Sequence, residues 1–116
     1  MDNDFEGIYI AYMTGPLGSS LGMYVFKEGK LAGGDVGGGK YRGTFTIDHE
    51  TKKVGCLIEF LGLPGVPTIG GSTFPSSDRP VQVPITLPLP IDPKAIFKFD
   101  TPLGPINVKL ERVQTF

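Results

Sequence analysis

The string Gly34-Asp35-Val36-Gly37-Gly38-Gly39-Lys40 has the strongest chemical pattern in the chain: a glycine, four residues, then Gly-Lys. That spacing suits a phosphate-cradling loop, because glycines let backbone amides close on the anion. Such a loop also needs a Ser or Thr next, to reach magnesium, and a helix whose first amides point at the phosphate. Tyr41 follows instead and opens a strand pattern. The string is therefore read as a strand connection, and no nucleotide site is assigned to it.

His49 is the only histidine, flanked by Asp48 and Glu50, and Cys56 is the only cysteine. A three-ligand zinc site would need Cys56 and a carboxylate to converge on His49. Cys-His nucleophilic catalysis would need the two side chains within hydrogen-bonding reach and a third group to orient the base. Cys56 lies down a strand pattern within its apolar series, so it reads as core and His49 as an exposed turn residue. Among the scattered carboxylates Glu59 has one chemical alternative. It sits between Ile58 and Phe60, and facing inward its proton affinity would rise to that of an acid-base group. Alternation groups it with Gly55, Leu57 and Leu61, which predicts the outer surface. No catalytic residue, metal or cofactor is assigned.

Proline spacings at Pro64-Gly65-Val66-Pro67 and Pro90-Ile91-Asp92-Pro93 resemble ligands for peptide grooves, but turn formation accounts for them. Tyr9, Tyr12, Tyr24, Phe26 and Tyr41 lie on adjacent strand patterns. They are candidates to line a pocket, or equally to fill a core that has no tryptophan.

These residues are positioned by short alternating segments. Strands are predicted over 7–14, 21–27, 30–36, 41–48, 53–61, 81–89, 94–100 and 106–113, from two-residue alternation and β-branched or aromatic content. Glu28-Gly29 suits a tight hairpin. Gly33 and Gly34 inside the third segment predict a bulge, a bend or a close backbone approach. Pro84 and Pro88 share one face of the sixth and cannot donate to a ladder, which predicts an edge, bulged or partly paired strand. The stretch 62–80 is a long irregular loop, or a lid over one end of the sheet.

Composition agrees with many turns: 17 glycines and 11 prolines stand among 116 residues, and an all-helical fold is excluded. The expected fold is all-β, a small antiparallel barrel of seven or eight strands forming one domain over 1–116. A net charge of −1 supplies no basic field for nucleic acid. One cysteine cannot form an internal disulfide, the first six residues carry three acids and no basic region, and no uncharged apolar run reaches membrane-helix length. A cytoplasmic location, away from the membrane, is the resulting expectation. Leu57, Leu61 and Leu63 are predicted to face outward and, with 81–89 as an edge, to supply a dimer interface.

Gly7-Ile8-Tyr9, Gly22-Met23-Tyr24-Val25-Phe26 with its Glu28-Gly29-Lys30 turn, and Gly33-Gly34-Asp35 followed by Tyr41-Arg42-Gly43 resemble the GrlR-like proteins. These are small bacterial regulators with a lipocalin-like barrel. The resemblance spans roughly residues 7–60. It implies a noncatalytic, dimeric barrel that binds a protein partner, a transcriptional activator of type III secretion genes. In that family an acidic stretch on the hairpin after the Tyr-x-Gly strand is implicated in binding; it maps here to Asp48, His49 and Glu50, with Ile47 and His49 standing where acids would be expected. The alternative expectation is a binding module for a small apolar or lipid ligand, since eight strands can enclose one small molecule or be filled by side chains.

Overall fold

The computed structural model describes residues 5–75 and 79–116. The part of the 62–80 loop at 76–78 lies outside them. Eight strands follow in chain order: β1 (Gly7–Gly15), β2 (Gly18–Lys27), β3 (Lys30–Asp35), β4 (Lys40–Asp48), β5 (Lys53–Leu61), β6 (Val81–Pro88), β7 (Phe97–Thr101) and β8 (Gly104–Thr115). They form one sheet in the order β6-β5-β4-β3-β2-β1-β8-β7, every pairing antiparallel. The sheet curls on itself into a nearly closed barrel. No ladder among the described residues joins β6 to β7, so the wall has one seam.

Alternation sets the inner face. On β1, Tyr9, Ala11 and Met13 are buried while Tyr12 is exposed, and the same two-residue rhythm runs along β2, β4, β5 and β6. The β1–β8 ladder slips by one residue between Ile8 and Tyr9, a bulge that adds local twist where the chain enters the barrel. Gly33 marks a close approach and not a break, because both β3 ladders keep their register through it. A Cβ at Gly33 would stand 2.4 Å from the Met23 carbonyl and 2.5 Å from the Tyr24 ring. The missing side chain makes room for the tyrosine.

The two ends are closed differently. At the end carrying the β2–β3 and β4–β5 turns, Phe5 enters ahead of β1 and is fully buried. Its ring meets Phe26 at 4.8 Å and Phe45 at 5.3 Å, both edge to face, and the Tyr9 hydroxyl donates to its carbonyl. At the other end the β5–β6 connection crosses the β1–β2 and β7–β8 turns. The Leu17 amide donates to Ile69 O at 3.1 Å, and the Ser72 amide to Leu103 O at 3.1 Å. Gly70 and Gly104 cross so closely that a Cβ at Gly104 would lie 1.7 Å from Gly70 O. The predicted irregular loop is thus a lid, stiffened by a Pro67–Thr73 bridge and by buried Phe74.

Candidate ligand cavity

Eight strands make an interior only just wide enough for side chains to fill. Here Phe5, Tyr9, Phe26 and Phe45 fill the plugged end with one aromatic cluster. Toward the lid the filling stops. Met13, Tyr24, Tyr41, Ile58, Ile85 and Val108 surround a cavity of about 120 Å³, roofed by Ile69, Gly70 and Leu103. The lining is almost wholly apolar, and Val83 and Ile85 of β6 line the cavity together with Phe99 of β7, from the two sides of the seam. For scale, an aliphatic cavity of about 150 Å³ stays dry and accepts benzene or xenon.

Among the described residues, those lining the cavity with a side-chain oxygen are Tyr24, Tyr41, Thr68 and Thr101. The Thr101 hydroxyl donates to Gly104 O at 2.7 Å and accepts from the Leu103 amide at 3.1 Å, holding the β7–β8 turn. Thr68 donates within the lid, to Ser72 O at 2.7 Å. The tyrosines form a wall of their own. Their rings meet edge to face at 5.0 Å, and Tyr41 also packs on Phe60 at 4.8 Å. The Tyr41 hydroxyl donates to Asp35 Oδ2 at 2.6 Å, while the Tyr24 hydroxyl donates to Met13 Sδ at 3.5 Å. Burial pushes both hydroxyls above the ordinary tyrosine range; for Tyr41 the neighbouring Tyr24 and Asp35 add to this, and for Tyr24 the neighbouring Tyr41 side chain opposes it. Both stay neutral at physiological pH.

Asp35 explains the glycine-rich string. Its Oδ1 accepts from the amides of Gly37 and Gly39, each at 2.9 Å. The backbone donors that would have cradled a phosphate are closed around a carboxylate of the chain itself. No helix follows, since Lys40 begins β4. Reading the string for phosphate missed this role. An Asp followed two and four residues on by glycines was the signal, the pattern of a side chain capping its own turn.

The residues singled out as pocket candidates divide three ways. Tyr24, Phe26 and Tyr41 line the cavity. Tyr9 is on the inner face but belongs to the plug beside Phe5, at 1% exposure. Tyr12 is on the outer face, 46% exposed, with its hydroxyl donating to Glu111 Oε1 at 3.0 Å. Odd and even positions of β1 point to opposite sides, so Tyr9 and Tyr12 cannot share a pocket.

Asp48, His49 and Glu50 are exposed at the β4–β5 turn, at the plugged end and away from the lid. Asp48 Oδ1 accepts from the amides of Thr51 at 3.3 Å and Glu50 at 3.0 Å, and hydrogen bonding to Thr51 first and Glu50 second holds its carboxyl below the usual range. Glu59 is on the outer surface, accepting from Arg42 Nε at 3.0 Å and Gln82 Nε2 at 3.2 Å; these bonds hold its pKa down. Cys56 is buried, and burial pushes its thiol up to about 12. Among the described residues no three His, Cys, Asp or Glu side chains are grouped to hold a metal ion.

Comparison with known protein families, with curated proteins and with solved structures gives no match for this chain. The class rests on geometry. Eight antiparallel strands in a nearly closed barrel, plugged at one end and hollow beneath a lid at the other, define a lipocalin-like barrel of the calycin type.

Proposed function

We propose that the barrel binds one compact, uncharged apolar molecule in the cavity beneath the lid. The observation that carries this reading is the partly enclosed, almost wholly apolar space of about 120 Å³. An interior that served only stability would close such a space, since unfilled volume costs roughly 24 cal/mol per Å³. The cavity is too small for a long-chain lipid at full length, and its size fits a single ring or a short branched chain.

The test is methyl-resolved NMR of the whole chain titrated with toluene. Methyls of Ile58, Ile85, Val108 and Leu110 are expected to shift together, while those of Leu57 and Val113 on the outer face stay still. In Ile85→Phe, which places a ring in the space, the shifts should vanish. A wild-type chain whose lining methyls ignore toluene would contradict the reading.

A second reading follows from the exposed Asp48-His49-Glu50 turn, the position matched by the resemblance to GrlR-like regulators. There the turn serves as a contact for a protein partner, and the barrel is its support. Asp48 caps the turn, so the informative substitution is Glu50→Lys, which reverses charge without removing the cap. Unchanged capture of a partner protein by Glu50→Lys would remove the turn from any interface.

A further inference from the structure

Resting on the apolar-ligand reading, we infer that the cavity selects a neutral ligand bearing one hydroxyl group, a single-ring phenol being the class that fits it. The argument starts from the Tyr24 hydroxyl. Its acceptor is a thioether, Met13 Sδ at 3.5 Å, and sulfur is a weak acceptor. A ligand oxygen in the adjoining space is a better one, so the proton turns toward it at little cost.

Tyr41 supplies the complementary half. Its own proton is held by Asp35 Oδ2 at 2.6 Å, and a hydroxyl that donates to a carboxylate has a more basic oxygen. That oxygen can accept but has no proton left to give. A ligand hydroxyl satisfies both groups at once, accepting from Tyr24 and donating to Tyr41. A ketone satisfies only Tyr24. The rings of Tyr24 and Tyr41, edge to face, and of Phe60, tilted against Tyr41, then suit an aromatic body of the size the cavity admits.

Charge excludes the usual alternative. Among the described residues no lysine or arginine lines the cavity, and the Asp35 carboxylate sits directly behind Tyr41. A fatty acid or benzoate would bring a second negative charge into a low-dielectric space with nothing to pair it. The ligand class is therefore neutral.

Three probes that share a tolyl ring separate the claims: toluene, p-cresol and p-toluate at pH 7, titrated calorimetrically against the full chain. One additional satisfied hydrogen bond predicts p-cresol binding about five-fold tighter than toluene. No heat is expected for p-toluate. In Tyr24→Phe the order should invert, because the cresol hydroxyl is then buried with half its bonds, while toluene affinity stays within about two-fold. Met13→Leu removes the competing sulfur, leaves Tyr24 in place, and should hold or strengthen p-cresol. Equal affinities for toluene and p-cresol in the wild-type chain would overturn the hydroxyl preference and leave the apolar reading standing. Tightest binding by p-toluate would overturn the charge argument. Binding by none of the three would remove both.

Discussion

Asp35 satisfies more polar groups than any other side chain near the cavity: two backbone amides and the Tyr41 hydroxyl converge on one carboxylate. Hydrogen bonds to a charged group contribute about 1.5–3 kcal/mol each, and losing the acceptor leaves its donors unsatisfied. Asp35→Ala is expected to lower unfolding free energy by about 3 kcal/mol, read from the urea midpoint. Loss of less than about 0.5 kcal/mol would mean the network is decorative. Tyr24 and Tyr41 add a pH dependence. Their folded pKa values lie above the unfolded value near 10, so the folded chain holds protons that the unfolded chain releases. Their contribution is fully present below about pH 10 and declines as pH rises past it. Tyr41→Phe should flatten that alkaline decline. The buried Cys56 thiol, at about 12, should resist thiol reagents until the chain unfolds, so its labelling rate should match the global unfolding rate. The face of each tyrosine was legible from parity alone. Its depth in the barrel was not, because the plug is built by Phe5, which precedes the first strand and belongs to no alternating pattern.

At the scale of elements, the seam depends on where the prolines fall. The Leu89 amide donates to Lys52 O at 2.9 Å, so odd-numbered amides of the β6 segment face β5 and even-numbered ones face the seam. Pro84 and Pro88 occupy two of those even positions and remove donors from the open edge. An incoming strand meets an interrupted ladder there. Pro84→Ala combined with Pro88→Ala should therefore raise self-association in sedimentation velocity, with little change in the urea midpoint. The edge was legible in the sequence because proline's missing donor is a local property. The lid was legible as one of two alternatives for 62–80, but its anchor was not, since that is a crossing of Gly70 over Gly104, two glycines with β6 and β7 between them in the chain. Gly104 has φ of 113° and no space for a Cβ. Gly104→Ala should loosen the lid, seen as faster amide exchange at Leu17 and Ser72, whose hydrogen bonds tie lid and turns together.

For the molecule as a whole, two-residue alternation was enough to specify one antiparallel wall, because burying one face of every strand requires the sheet to curl on itself. Whether that wall is solid or hollow is a different kind of property. It depends on how side-chain volumes sum around a closed ring, on inward glycines such as Gly33 that let rings lie flat, and on a plug that fills only one end. None of these has a period. The hollow is also what distinguishes a ligand-binding barrel from one that serves only as a support for surface contacts. Xenon probes it without any assumption about hydrogen bonding, since it enters dry apolar cavities of this size. A crystal of the protein pressurised with xenon should show a bound atom inside the barrel, between Ile58, Ile85 and Val108 and below Ile69. A pressurised crystal with no xenon there, and side chains closed across the space, would contradict the account.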